Sequence, residues 1–514
     1  MVIVVLQPKC QQCYCDAAVM ARSTDRILES GNNEMAITEP LEQRARTKIV
    51  STVGPACRSP EMLQKLVDAG VDVFRLNMAH GSFEEHAATI KSLRTISENG
   101  RPVAVLVDLA GPKIRLGELV DGQVDCKAGA TFEFIRGESS TDASKLVSNY
   151  EKLVDELAID DDVLLADGTV SMRVTDKSSD RIVCTVVQGG PIRSRQGINL
   201  PGAKLSLPTL TDRDKECAEW AAGQGVDFVS LSFVRSPDDI RELRAFLKER
   251  GCHAPIIAKI EKPEAIDSLA EIVATTDAVM VARGDLGVEI DVADVPVVQK
   301  EIITKCNEMQ KPVIVATQML DSMHTASRPT RAEVTDVANA ILDGADACML
   351  SGETAIGDHP ELVVQTMNRI MISTERLLPN QPQRPPLQKA NTGALPITHS
   401  VVYGAAKIAE HLNASLVVIA TRSGATALTK SNQRDFVPTV AVSEDPEVLR
   451  RVCLYWGITP LPGAPLDDRL ALNEFVINWG KKDGILGPGD CLVTVTGTGV
   501  AKGGHNLVVV DTVS

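Results

Sequence analysis

The chain has no excess of positive charge, no apolar run long enough to span a membrane, no cysteine framework and no internal repeat. Each absence removes a class of protein. A formal net charge of -15 excludes a general binder of nucleic acid or of anionic membranes, because such surfaces need positive potential over much of their area. Anionic ligands must then meet local basic sites. No window approaches the roughly 18 uninterrupted apolar residues of a spanning helix. The 12 Cys are scattered through periodic apolar segments, and 514 residues are ample to build cores without disulfide staples. Reduced thiols in a cytoplasmic protein are expected. Cys10, Cys13 and Cys15 have half the spacing of a zinc site but no second ligand pair follows, which favours a tail with incidental cysteines. The opening Met1-Val-Ile-Val-Val-Leu6 lacks the positive start and cleavage site of a signal peptide. Residues 1–45 are expected to be a disordered extension outside the fold.

What is present is alternation. With 44% hydrophobic and 24% charged residues, the chain is ordinary for a globular protein, and short β-branched runs recur between helical patterns. Strands are predicted at 48–53, 71–76, 103–107, 226–232, 256–260, 278–282, 313–316 and 347–350, with helices such as 61–68, 83–97, 236–248 and 297–309 between them. Eight such units close a TIM (β/α)8 barrel, whose active face is formed by the C-terminal strand ends. The first barrel part is placed at 46–115 and the second at 208–378. The interval between them carries short strand-like runs at 131–135, 163–165, 170–174 and 181–187 with turn signals such as Asp121-Gly122 and Asp167-Gly168. It is expected to be a small β-barrel domain, 116–207, inserted in the third barrel loop and able to swing over the site as a lid. A Pro-rich linker at 379–397 precedes a C-terminal α/β domain at 398–514, with strands at 416–420, 439–442, 491–496 and 507–510.

The most informative segments are Ile257-Ala-Lys-Ile-Glu261 and Val279-Met-Val-Ala-Arg-Gly-Asp285. Residues i and i+2 of a strand share a face, so Lys259 and Glu261 are aimed together where an apolar run ends. Asp285 offers a second carboxylate from the next strand, with Gly284 leaving room for close backbone approach. A cation beside two carboxylates suits a divalent metal and a phosphorylated ligand. A surface salt bridge is the plainer reading of Lys259 and Glu261, but such pairs rarely sit on otherwise apolar barrel strands.

Together with Arg75-Leu-Asn-Met-Ala-His-Gly81, Ala316-Thr-Gln-Met-Leu320, Arg328-Pro-Thr-Arg-Ala-Glu333 and Met349-Leu-Ser-Gly-Glu-Thr354, these segments resemble the pyruvate kinases, over roughly residues 46–514. The wording Asp108-Leu-Ala-Gly-Pro-Lys-Ile-Arg115 looks more like bacterial members. The resemblance implies phosphoryl transfer from phosphoenolpyruvate to ADP. It implies Mg2+ or Mn2+ on Glu261 and Asp285, and Lys259 and Arg75 on the moving phosphoryl group. Substrate would also meet Ser232, Thr317 and the backbone amides around Gly284 and Asp285, with Thr317 ordering a water or proton relay beside the enolate carbon. Arg115, His80, Pro55 and Asn77 correspond to the nucleotide side. A homotetramer is the family assembly.

Departures from the family pattern matter too. The monovalent-cation site of K+-requiring members survives only as Asn77 and Asp108, since Ala79 and Leu109 lack ligand oxygens, and Lys113 replaces an acidic residue. Activity without K+ is therefore expected. Gln196 stands where the family has Lys before Gly-x-Asn-Leu-Pro, leaving Arg193 or Arg195 as substitutes toward nucleotide phosphates. The effector loop corresponds to Thr421, Arg422, Ser423, Gly424 and Thr426, where a plain helix cap competes with an effector site. Two other functions compete: a weakened homologue that binds phosphometabolites, and a metal-dependent pyruvate aldolase or lyase on the same barrel.

Overall fold

The computed structural model describes residues 3–6, 44–203, 205–380, 393–497 and 506–514. Cys10, Cys13 and Cys15, most of the expected linker and the segment 498–505 lie outside the described residues.

Eight parallel strands close into a barrel: Lys48–Thr52, Val73–Asn77, Ala104–Asp108, Phe228–Leu231, Ile256–Ile260, Ala278–Ala282, Val313–Ala316 and Ala347–Leu350. All eight end within a residue of where the β-branched runs place them, and six also begin within a residue. Strands buried on both faces read as nearly continuous apolar runs, and the fifth and sixth are buried throughout, with Lys259 the one charged residue in them. Their register sets Lys259 opposite Met280 and Ile260 opposite Val281, so the chain leaves both strands at nearly the same level of the barrel. The surrounding helices start where local chemistry dictates: Thr211 and Thr330 close capping boxes with Asp214 and Glu333, satisfying amides that the first turn leaves without partners.

Between the third and fourth strands, the insert has a six-stranded sheet that includes Thr131–Ile135, Asp162–Leu165, Val170–Lys177 and Arg181–Gln188. A two-stranded ribbon, Gln123–Cys126 with Gly190–Arg193, completes it. Expected as a small β barrel, it hydrogen-bonds as this sheet and ribbon around one core, in which Cys126 and Ile192 of the ribbon pack with Phe134, Met172 and Val186 of the sheet.

The C-terminal unit has its own six-stranded sheet, in which Leu416–Ala420 lies between Thr439–Val442 and Cys491–Thr496. The edge strand Ile458–Leu461 was not foreseen, and its Pro460 suits an edge, where a missing N–H breaks no ladder. The opposite edge corrects a further expectation. Ile3–Leu6 is not outside the fold but pairs in parallel with Leu507–Val510. Apolar cores lie on both faces of this sheet. No helix among the described residues is long and apolar enough to cross a membrane.

Candidate active site

Lys259 lies one residue before the C-terminal end of the fifth barrel strand. It is 8% exposed, and its Nζ lies 2.6 Å from Ser232 Oγ, 2.9 Å from Glu261 Oε1 and 3.5 Å from Asp108 Oδ1. Burial alone would discharge the amine, but Asp108 and Glu261 reverse that and hold its pKa above the ordinary lysine value. The ammonium is fixed. Ser232 Oγ donates onward to Leu109 O at 2.7 Å, which orients its lone pairs toward the lysine.

Asp108 takes up more charge than its assignment to a remnant monovalent-cation site implies. Arg75 Nε donates to its Oδ2 at 2.7 Å, a second Arg75 nitrogen lies 2.5 Å away, and Ser230 Oγ donates to Oδ1 at 2.5 Å. Although burial opposes ionisation, Lys259 and Arg75 hold this carboxyl below its ordinary pKa. It is thus the shared counter-ion that keeps two cations side by side. Arg75 is further pinned by Thr52 Oγ1 at 3.0 Å.

The carboxylates expected to hold metal have spare capacity. Glu261 is fully buried; its Oε2 accepts from Phe233 N at 2.7 Å, whereas Oε1 faces Lys259 as an ion pair without an aligned hydrogen bond. Burial, with the like charge of Asp285 added, pushes the Glu261 carboxyl above its ordinary value despite Lys259. Asp285 is more open, its side chain 29% exposed and met by Lys113 Nζ at 3.5 Å. A buried oxygen lacking a hydrogen bond beside a second, accessible carboxylate fits a hard divalent cation, with most coordination positions left for water and substrate oxygens. Charge points the same way. Arg75, Lys113 and Lys259 balance Asp108, Glu261 and Asp285, so a bound dication would give the face the net positive charge that a polyanionic substrate needs.

Thr317 adopts φ +68, and Gln318 follows at +55. For a β-branched residue this is strained backbone, costing about 1–3 kcal/mol. Arg283 holds it: Nη2 donates to Thr317 O at 2.8 Å while Nη1 is anchored on Asp336 Oδ1 at 2.7 Å. Nothing in the sequence pattern had singled out Arg283. The Thr317 hydroxyl accepts from Gly284 N at 2.8 Å and donates to Ala316 O at 2.7 Å, so it joins the seventh strand end to the helix Arg283–Glu289 that carries Asp285.

The residues expected on the nucleotide side are less tightly organised. Arg115 donates to Arg195 O at 3.2 Å at the insert hinge, Asn77 Oδ1 accepts from Ala79 N at 3.1 Å, and His80 and Pro55 lie exposed in the loops after the second and first strands. Gln196 folds back on its own turn, its Oε1 accepting from Arg193 N at 2.6 Å, and Arg195 pairs with Glu118 at 2.6 Å. In the C-terminal unit Thr421 Oγ1 accepts from Gly424 N at 3.0 Å, and Arg422 and Ser423 are exposed beside it. Gly424 at φ +84 caps a helix of only 7 residues, Ala425–Ser431, in which Thr426 is buried.

A closed parallel barrel with a cation and two carboxylates at adjacent strand ends, and an inserted domain beside them, is an arrangement able to serve metal-assisted phosphoryl transfer. Comparison with known proteins gives the family. Residues 44–364 match the pyruvate kinase barrel domain and 399–510 the pyruvate kinase alpha/beta domain. The chain is 45% identical over 420 residues to a pyruvate kinase of Mycobacterium intracellulare, covering 80% of this chain and 86% of that protein. It is 42% identical over 476 residues to one of Agrobacterium vitis, covering 92% and 98% respectively. A pyruvate kinase of Geobacillus stearothermophilus is 38% identical, over 92% of this chain and 81% of its own length. The chain belongs to the pyruvate kinase family.

Proposed function

We propose that this chain transfers the phosphoryl group of phosphoenolpyruvate to ADP, giving ATP and pyruvate, and that the cluster around Lys259 carries the chemistry. The observation behind this is the buried Lys259–Glu261 pair with Asp285 at the adjacent strand end. In the transfer the bond from phosphorus to the enol oxygen breaks and a bond to a terminal oxygen of ADP forms, with charge spread over the phosphoryl oxygens. Arg75 and Lys259, held in place by Asp108, face that charge without having to reorganise at the moment of reaction. Glu261 and Asp285 would hold Mg2+ or Mn2+, which when bound supplies charge neutralisation and orients substrate oxygens. Ser232 keeps the Lys259 ammonium oriented, and first-turn amides around Gly284 and Asp285 receive the substrate carboxylate, that of Gly284 by giving up its bond to Thr317 Oγ1.

Loss of the phosphoryl group leaves an enolate whose methylene carbon must take a proton. Thr317, whose strained backbone aims its hydroxyl at Gly284, orders the water that delivers it; an ordinary hydroxyl is too weak an acid to act alone. Arg115, His80, Pro55 and Asn77 form the nucleotide side, approached by the insert as a lid. Cytoplasmic glycolysis as a homotetramer is the setting the family suggests.

We further propose that K+ is not required, because Lys113 supplies a fixed ammonium beside Asp285, Leu109 is buried without a ligand oxygen, and Asp108 already serves two cations. A coupled assay of pyruvate formation should give equal steady-state rates in Na+ and K+ buffers containing Mg2+. Strong activation by K+ alone would reject K+ independence, and absence of pyruvate in both would reject the function.

A further inference from the structure

Behind the two carboxylates expected to hold the metal lies a second, separate ion pair. Lys262, immediately after Glu261, places Nζ 2.6 Å from Glu289 Oε1; the Glu289 side chain is 1% exposed and that of Lys262 18%. Glu289 ends the same short helix that carries Asp285, four residues on and therefore on the same face. The pair joins the loop bearing one carboxylate to the helix bearing the other. Asn199, on the insert strand Ile198–Asn199, adds its Nδ2 at 3.4 Å from the same Glu289 oxygen. Both contacts converge on Oε1, whereas Oε2 is buried with no hydrogen-bond partner. These residues line a groove between insert and barrel, together with Lys113, Phe233 and Arg235. Phe233 donates its backbone N–H to Glu261.

We propose that Glu289 is a positioning residue: through Lys262 it fixes the separation of Glu261 and Asp285, and through Asn199 it ties the insert to that fixed frame. The reason is mechanical. Glu261 and Asp285 leave different strands, and no direct contact between their oxygens can hold them, since like charges repel. An ion pair one residue from the first and one helical turn from the second supplies the constraint, in a buried setting where charge pairs are weakly screened. The partly unsatisfied carboxylate leaves room for a further donor as the insert approaches. Removing second-layer groups of this kind weakens metal binding by roughly 10–100-fold in other metal sites.

The proposal rests on the reading of Glu261 and Asp285 as metal ligands, and the test separates the two. Mn2+ would be titrated into the full chain without substrates, free ion being read by electron paramagnetic resonance, with thermal unfolding recorded in parallel. Glu261→Gln should remove the tight site, which checks the ligand reading. Glu289→Gln and Lys262→Met should each raise the Mn2+ dissociation constant about tenfold, and the double variant should do no worse than either alone, because one interaction is lost in all three. Were Glu289 itself a ligand, Lys262→Met would free its carboxylate and tighten binding, contradicting the positioning role. A purely structural pair would lower the unfolding temperature and leave Mn2+ affinity unchanged, which also overturns the proposal. Should Glu289→Gln not fold, Lys262→Met decides by the same readout. Unchanged affinity in Glu261→Gln would remove the ligand reading and the proposal with it.

Discussion

Two fully buried parallel strands, Ile256–Ile260 in the barrel and Leu416–Ala420 in the C-terminal sheet, end in polar sequence followed by a short helix, yet they leave their polar groups in different states. Beyond Ile260 the groups are charged and incompletely satisfied: a buried glutamate oxygen without an aligned hydrogen bond, a lysine shared among three oxygens, and an open aspartate on the neighbouring strand end. Beyond Ala420 the turn is self-contained, with Thr421 Oγ1 closing on Gly424 N and buried Lys430 paired to Asp435. Strand topology makes either loop a candidate for anion binding. Unspent polar capacity tells them apart.

The largest expected effect comes from removing the cation at the better-endowed end. Lys259→Met should lower the rate of pyruvate formation by roughly 10³-fold, the scale seen when a preorganised charge-stabilising group is lost. It should also destabilise the fold by about 3–5 kcal/mol, because Glu261 loses its closest cation inside the barrel. Denaturant titration and the coupled assay measure both, and near-normal turnover would erase the distinction between the two strand ends.

A smaller loss is expected at Thr317. Thr317→Ala should reduce kcat by about 10²-fold, with the Michaelis constant for phosphoenolpyruvate little changed, if the hydroxyl serves proton delivery after transfer. Stability should fall by about 1 kcal/mol, because Gly284 N–H loses its acceptor, with relief of the β-branch at φ +68 offsetting part of the loss. A change confined to the Michaelis constant would make Thr317 a binding group only.

The smallest effect tests the quiet region. Thr421→Ala should cost about 1 kcal/mol of stability in the C-terminal unit through loss of one buried hydrogen bond, and leave steady-state rates unaltered. Calorimetric titration of the unaltered chain with sugar phosphates should give no heat if the turn is only a cap. Saturable heat abolished by Thr421→Ala would instead put a ligand there.

The barrel strands were legible because burial on both faces writes them as unbroken β-branched runs, and the pairing of Lys259 with Glu261 followed from strand periodicity. What escaped depended on partners distant in sequence. Asp108 reads as a lone acidic strand end until the fold brings Arg75, Ser230 and Lys259 around it. Arg283 and Glu289 gain meaning only from Thr317, Asp336, Lys262 and Asn199. The insert strands Lys145–Leu146 and Ile198–Asn199 are two residues long, too short to show periodicity, and Ile3–Leu6 pairs with a strand some five hundred positions away. At Gln196 the sequence shows a missing charge but not the turn that its amide closes at Arg193.

The central claim is that the Lys259 cluster moves a phosphoryl group from an enol phosphate to a nucleoside diphosphate. Phosphorus NMR of the full chain with phosphoenolpyruvate, ADP and Mg2+ follows that transfer directly. The account predicts loss of the phosphoenolpyruvate resonance matched by growth of the three ATP resonances, absent in Lys259→Met. Persistence of the phosphoenolpyruvate signal, or its conversion to inorganic phosphate without ATP, would contradict it.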